Sequence, residues 1–447
     1  MHINPKFRGA LLAASVVALS HQSATAQAGP EAVQEAVETQ YDSHLEDLFI
    51  WFHQNPELSL LESNTAARMA AELRAAGLEV TEGVGGTGVV GMLRNGDGPL
   101  ILLRADMDGL PVKERSGLEY ASTVTQTGLD GQEYPVMHAC GHDVHITSLV
   151  GTARQLVAMQ DQWSGTLMFI VQPAEERVAG AKAMLDDGLY DRFGTPDYAL
   201  AFHVSAGEPT GTIIAAPGIF GSSSDSVNLH VPGIGAHGAS PHEGRDPIYI
   251  ASQIVVGLQS IVSRETNPLT PAVVTVGAFN AGSKHNIIGE GADLQLTVRA
   301  NDEETRAATI AAIERIATNI GRAHGLPEDK LPSIEVVEGT PVTWNEQELA
   351  DRLIPVFVET FGDDAVGPYE QDGMGAEDFA YFVADEYGVP GFYFSVGGTA
   401  PEDIAAEEAG GPPVASHHSP LFRIEPRESV TLGTRAMVAA VLDLAGS

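Results

Sequence analysis

The chain of 447 residues, 43% hydrophobic and 19% charged, is long enough for two or three domains and has the composition of a folded rather than a disordered protein. Its 24 basic against 60 acidic residues give a formal charge of -36, which argues against nucleic acid or an anionic membrane as a partner. An anionic small substrate is repelled at long range as well, so any carboxylate has to be recognised by local Arg or His residues.

Residues 1–28 read as a secretory signal peptide. Lys6 and Arg8 form a basic start, Gly9 to Ser20 is apolar but short for a bilayer span, and Ala24-Thr25-Ala26 or Ala26-Gln27-Ala28 offers small-residue cleavage. The expectation is an exported protein, periplasmic or secreted, with no membrane attachment after cleavage. Cys140 is the single cysteine, so no intrachain disulfide forms, and a lone thiol in an oxidising compartment is oxidised unless it is buried or ligated.

Beyond the leader, Pro30 to Phe52 has a helical pattern and Leu61 to Ala76 is a second amphipathic helix closed by Gly77. Leu78 to Thr81, Gly88 to Leu93 and Leu100 to Ala105 are short apolar runs between glycine-rich breaks, hence strands. Asp106 and Asp108 follow the third strand, where α/β sheets usually carry their chemistry. Three histidines and the cysteine then fall within His138 to His145, at the mouth of a helix predicted over Ile146 to Met159. Taken alone, a Cys-x-His pair reads as a buried cysteine beside ordinary histidines. A helix N-terminus, however, favours thiolate, and thiolate with imidazole suits Zn²⁺ and other borderline metals better than Mg²⁺ or Ca²⁺.

Thr166 to Gln172 reads as a strand leading into Pro173-Ala174-Glu175-Glu176, where adjacent acids point apart so that one can bind a metal while the other addresses a water. Tyr198 to Val204 is a strand carrying His203. A Gly/Ser-rich junction at Gly218 to Ser224 precedes a change of pattern: strand 225–231, helix 246–264, strands 272–279 and 292–300, helix 303–324 and strand 333–338. This strand-helix-strand-strand-helix-strand order is close to a ferredoxin-like unit. It divides the mature chain into a catalytic domain (29–220 and 339–447) interrupted by an inserted domain (221–338). The last segment supplies a helix, the Gly373-to-Phe379 loop, a strand at 391–396, a surface loop over Glu402 to Pro413, the His417-His418-Ser419-Pro420 run and a final helix from about Pro426.

The ordered set Arg-Ala-Asp-Met-Asp, His-Ala-Cys-Gly-His-Asp, Pro-Ala-Glu-Glu, a strand histidine, Gly-Ala-His and a late His-Ser-Pro resembles the M20 metallopeptidases. The likeness is to their amidohydrolase branch, which includes hippurate hydrolases, N-acyl-amino-acid amidohydrolases and plant auxin-conjugate hydrolases. It spans roughly Asp42 to the C-terminus. It implies an α/β fold, a mixed-sheet zinc-peptidase-like catalytic domain with an inserted ferredoxin-like lid that dimerises, and two divalent ions, Zn or Mn with Co also suitable. By position it implies Cys140, His142, Glu176, His203 and His418 as metal ligands, with His417 directly before His418 leaving open which of the two closes the set. It implies Glu175 as general base and Asp106 as the acid that orients a ligand from behind. His237 is implied to reach the active site of the partner subunit, and Asn286 and Arg299 to bind the substrate carbonyl or carboxylate. Gly109 stands where an alanine is more usual.

Amide hydrolysis needs hydroxide near neutral pH and a stabilised oxyanion, and paired metals with a Glu base answer both needs. No Gly-x-Ser-x-Gly elbow supports a serine mechanism. The expected activity is hydrolysis of N-acyl amino acids or similar small carboxylate-bearing conjugates. The alternatives are a dipeptidase or carboxypeptidase of the same fold, and a binding protein that has lost catalysis; Glu175 argues against the latter, since a binding site needs no base beside a metal ligand.

Overall fold

The computed structural model describes residues 29–371 and 373–446, and the leader expected at 1–28 lies outside them. The helical run at the start forms α1 (Pro30–Gln40), one π turn at Tyr41–Leu45, and α2 (Glu46–Gln54), followed by α3 (Ser63–Ala75). Strands β1 (Glu79–Val84), β2 (Gly88–Asn95) and β3 (Leu100–Asp106) lead to α4 (His142–Ala158), and β4 (Gly165–Gln172), β5 (Tyr198–Pro209) and the short β6 (Ile213–Ile214) follow. A second unit then intervenes: β7 (Ser223–Pro232), α5 (Pro247–Ser260), β8 (Ala272–Ala281), β9 (Gly291–Ala300), α6 (Glu303–Ala323) and β10 (Ser333–Thr340). The chain returns through α7 (Gln347–Phe361), β11 (Val366–Gly367), β12 (Gly391–Thr399), α8 (Pro401–Glu408) and α9 (Pro426–Ala445).

The first and last segments build one eight-stranded sheet in the order β1-β2-β4-β3-β5-β12-β6-β11. Its centre, β4-β3-β5-β12, is parallel, and β2 joins antiparallel to β4. Parallel strands are buried on both faces, and β3 obeys this: Ile101, Leu103 and Ala105 enter one core while Leu102 enters the other. Helices α1 to α4, α7 and α9 cover the first face. Helix α4 is buried almost all round, as a helix in the middle of a large core must be. Its approach to α9 depends on glycine, since a Cβ on Gly151 would lie 2.7 Å from Thr434 Oγ1; α9 meets β5 as closely, and a Cβ on Gly433 would lie 2.5 Å from the Phe202 ring.

The inserted unit has its own core and a four-stranded antiparallel sheet ordered β8-β9-β7-β10, the ferredoxin-like order. Val227, Leu229 and Val231 of β7, and Leu294, Leu296 and Val298 of β9, point inward toward α5 and α6, as period-2 alternation demands. One irregularity matters below. Ser226 pairs with Glu338 but Val227 pairs with Val336, so Val337 is a bulged residue in β10.

Three details depart from the sequence reading. The helix expected over 246–264 ends at Ser260 and continues as a π turn, Ile261–Glu265. The junction at Gly218 to Ser224 is not a loop, because Gly218–Gly221 pairs antiparallel with Thr343–Asn345 and carries the chain into the inserted unit. The surface loop over Glu402 to Pro413 begins as α8. Pro401 at N1 presets the helical φ, Glu402 and Asp403 oppose the helix dipole, and three alanines sustain the turn until Gly410, at φ +85, ends it. Among the described residues, no helix is long and apolar enough to cross a membrane.

Candidate metal centre

The carboxyl ends of β3 and β4 and the middle of β5 deliver Asp106, the Glu175-Glu176 turn and His203 to one side of the sheet, and the N-terminus of α4 brings Cys140 and His142 to the same point. His418 arrives from the far end of the chain, its amide bonded to Ala139 O at 2.8 Å. The Glu-Glu turn is pinned by Asp108, whose two oxygens accept the Glu175 and Glu176 amides at 3.1 Å each and the Ser59 hydroxyl at 2.6 Å.

The hydrogen bonds fix the ring states. His203 Nδ1 donates to Val204 O at 2.7 Å, so its Nε2 carries a lone pair, directed at Cys140 Sγ 3.4 Å away. His145 Nε2 accepts the Val204 amide at 2.9 Å, so its Nδ1 is the donor to Asp106 at 2.6 Å. His417 Nε2 likewise accepts the Ala206 amide at 3.1 Å, which occupies its lone pair. His418 Nε2, by contrast, stands 3.4 Å from Glu176 Oε2. Of the tandem pair, His418 is the one in the cluster.

Fully buried His142 is the centre of the group. Its Nδ1 lies 3.3 Å from Asp108 Oδ1, but neither ring nitrogen makes a hydrogen bond of acceptable geometry. Its Nε2 faces Asp106 at 3.7 Å, Glu175 at 3.9 Å and Glu176 at 3.9 Å. These gaps are too long for hydrogen bonds and close to the edge of a coordination tetrahedron, roughly 3.3–3.7 Å for bonds of about 2.0–2.3 Å. Glu176 Oε1 is also buried without a partner. Cys140, His142 and His203 form one set of mutually adjacent donors, and Cys140, Glu176 and His418 another. The donor set, S, N and O together, fits borderline divalent cations.

The electrostatics point the same way. Burial, with Glu377, Glu176 and Asp378 nearby, pushes the Glu175 carboxyl well above its usual range. Glu176 is pushed up to about 7 by burial and by Asp108 and Asp106, against the pull of His142. His142 is lowered by burial but raised on balance to about 10 by Asp106 and Asp108. Helix α4 does not make Cys140 a thiolate on its own, contrary to the sequence expectation: burial and the charges of Glu176, Glu175 and Asp106 push the thiol well above its usual value. Surplus negative charge of this kind is what a bound cation offsets.

Behind the cluster lies a buried network that the sequence reading missed. Arg104 bonds Asp106 at 2.7 Å, Glu377 at 2.7 Å and Gln172 at 2.8 Å, and lies 3.2 Å from Asp378. Tyr393 donates to Glu377 at 2.5 Å. The adjacent acids Glu377-Asp378 in a Gly-rich loop were a signal of the same kind as Glu175-Glu176, while Tyr393 in its apolar strand gave none. Glu62 ties a further loop to the site by accepting the Ala174 amide at 2.9 Å.

A cleft of about 630 Å³ opens from this cluster between the large sheet and the inserted unit. Arg299, on β9, lines it, with Nη1 3.5 Å from Met374 O. His237 and Asn286 do not line it. They sit together in an exposed two-stranded pairing, Ala236–His237 against Ile287–Ile288, where Gly238 N donates to Asn286 O. Three of the four non-glycine residues with left-handed φ among the described residues border the centre: Ala174 (50°), Val178 (45°) and His418 (64°). Each costs about 1–2 kcal/mol, strain of the sort that collects at functional sites.

A mixed α/β sheet carrying buried S, N and O donors beside paired glutamates at its strand ends is the architecture of a metal-dependent hydrolase. Residues 102–409 match Peptidase family M20/M25/M40. The chain is 41% identical over 331 residues to the hippurate hydrolase of Campylobacter jejuni, covering 74% of this chain and 82% of that one. It is 37% identical over 350 residues to thermostable carboxypeptidase 2 of Saccharolobus solfataricus, covering 77% and 83%. A crystal structure from Bacillus subtilis, described as a dinuclear metal binding peptidase from the M20 family, superposes with a TM-score of 0.72 at 28% identity, covering 91% of this chain and 98% of that one. The chain belongs to the M20 peptidase family, and it is a metal-dependent amidohydrolase.

Proposed function

We propose that the protein is an exported dinuclear amidohydrolase that cleaves N-acyl amino acids or similar small carboxylate-bearing conjugates, with Glu175 as general base. The observation that carries this reading is the unpartnered Nε2 of His142 among three carboxylate oxygens at 3.7–3.9 Å, with Glu175 one of the three. Cys140, His142, Glu176, His203 and His418 would hold two divalent ions, which lower the pKa of water and polarise the scissile carbonyl. Asp106 holds its place behind them through Arg104 and His145.

Glu175 takes the proton of the attacking water. It then returns that proton to the leaving nitrogen, which must be protonated before the C–N bond breaks. Arg299, half-buried in the cleft, pairs the substrate carboxylate, a contact in which a guanidinium fork is strongest. A dipeptidase would need an acid for the free α-amine. Outside the cluster the lining offers Glu338, which Arg177 meets, and Glu377, which Arg104 and Tyr393 engage, and an acylated nitrogen needs neither.

The exposed setting of His237 and Asn286 supports a second element of the reading, a homodimer in which the partner subunit's His237 completes each site. Refolding Glu175→Gln with His237→Ala tests it. Half the randomly paired dimers carry one good site of two, so activity recovers to roughly a quarter of wild type; a mixture as inactive as its parents removes His237 from the site. The activity itself is tested by assaying N-acyl amino acids, their carboxamides, dipeptides and amino-acid amides with Zn²⁺, Mn²⁺ and Co²⁺ in turn. N-acyl amino acids should be turned over and their carboxamides far more slowly. Faster turnover of dipeptides with free amines would transfer the assignment to the peptidase reading.

A further inference from the structure

Among the described residues, Arg177 and Arg299 are the only lysines or arginines lining the cleft, on opposite walls of it. Arg299 belongs to the inserted unit, and Arg177 directly follows the Glu175-Glu176 pair. Arg177 is exposed, and its only ion-pair partner among the described residues is Glu338 of β10, at a single contact of 3.4 Å across the cleft. Both charges owe their position to an irregular backbone. Val178, β-branched and yet left-handed at φ 45°, closes a turn tight enough for its amide to bond Glu175 O at 2.6 Å, and this holds Arg177 at the rim. The bulge at Val337 shifts the register so that Glu338 stands opposite Ser226, a cleft-lining residue. In an unbulged ladder Val337 would take that position and Glu338 would turn to the other face.

The strand registers give the separation of Arg299 from Glu338, the residue that Arg177 meets. Arg299 pairs with Ser224, and Glu338 with Ser226, two residues on along the same face of β7. Two strand spacings and one two-residue step put Arg299 and Glu338 about 12 Å apart at Cα. Side chains converging from that distance suit two anionic groups on one small molecule, one at each arginine. An exposed single-contact pair such as Arg177–Glu338 contributes little, and a carboxylate able to dock bidentately on the guanidinium is a stronger partner.

We infer that Arg177 is a specificity-determining residue that recognises a second carboxylate on the substrate, exchanging Glu338 for it, while Arg299 takes the first. The inference rests on the N-acyl amino acid reading above and narrows it to dicarboxylates. The second carboxylate can come from the amino-acid side chain or from the acyl tail, and two probe pairs separate these sources: N-acetylglutamate against N-acetylglutamine, and N-succinylalanine against N-succinamoylalanine.

The quantity read is the ratio of kcat/KM within each pair, from which any general loss of activity cancels. In wild type the charged member is preferred in one pair. Arg177→Gln should lower that preference roughly tenfold or more, the scale of a charge-assisted hydrogen bond, and Glu338→Gln should raise it several-fold. Calorimetry of the same ligands on the Glu175→Gln enzyme, with and without Arg177→Gln, reads recognition without turnover and should give the same ordering of affinities. If wild type hydrolyses none of the four, the N-acyl amino acid reading fails while the calorimetry still reads Arg177. If Arg177→Gln leaves the charged-to-neutral affinity ratio within about twofold in both pairs, Arg177 is not a specificity residue, whatever the turnover.

Discussion

Glu175 and Glu176 are neighbours in sequence with different surroundings. Glu175 lies against Glu377 and Asp378, which disfavour its ionised form, whereas Glu176 reaches Cys140 and His418. Glu175→Gln keeps the shape and removes the proton acceptor, so metal content should hold while kcat falls by roughly 10² or more. Glu176→Gln should instead lose metal by elemental analysis, and the opposite pattern would exchange the two roles. These residues, with Cys140, His142, His203 and His418, were legible because each sits in a short motif of unusual composition. His418 was separable from His417 only in three dimensions, since the Ala206 amide that occupies His417 lies 211 residues away in sequence. Arg104, Glu377 and Tyr393 escaped for the same reason: they act through contacts such as Arg104–Glu377, 273 residues apart, and no local pattern encodes such a distance.

Among the elements, helix and strand periodicity located most of the sheet and all of the long helices. What it could not read were features decided by tertiary pairing: the strand at Gly218–Gly221, the bulge in β10 and the two π turns, one inside the first helical run and one ending the run that starts at Pro247. The packing of α9 on β5 gives a test at this scale. Gly433 leaves no room for a Cβ beside Phe202, and Phe202 is next to His203. Gly433→Ala should cost about 1–3 kcal/mol by overpacking. By displacing β5 it should also weaken metal binding, so thermal melts and metal titration should move together. Lost stability with unchanged metal affinity would mean that β5 absorbs the strain without passing it to His203.

Across the whole molecule, buried carboxyls make the metal-free protein sensitive to pH. Burial foremost raises Glu176 to about 7, Glu62 to about 7 and Asp378 to about 8, with Asp108 adding to the shift of the first two and Glu377 to that of the third. Unfolded, these groups titrate near 4. The folded state therefore binds more protons over the interval between, and their contribution to stability is complete below about pH 4 and lost as pH rises through about 8. In chelator, Tm should fall from about pH 6.5 to pH 8, above the range in which His138, His203 and His417, lowered by burial, act in the opposite sense. With excess Zn²⁺ or Mn²⁺ the fall should shrink, because an ion that binds only the folded state stabilises it by mass action. A chelated protein whose Tm is flat over this range would show that the carboxyls are not held against their charge.

Cys140 combines two properties already described: it is the chain's single thiol, and it sits among the metal donors at the floor of the open cleft. One thiol per chain means that the moles of a chromogenic thiol reagent consumed, at a pH high enough to ionise the buried group, report the chains with a vacant centre, with no background from other cysteines to subtract. Occupancy can then be followed in time in an ordinary spectrophotometer, and the same stoichiometry tells a preparation that is half loaded in every molecule from one in which half the molecules are empty.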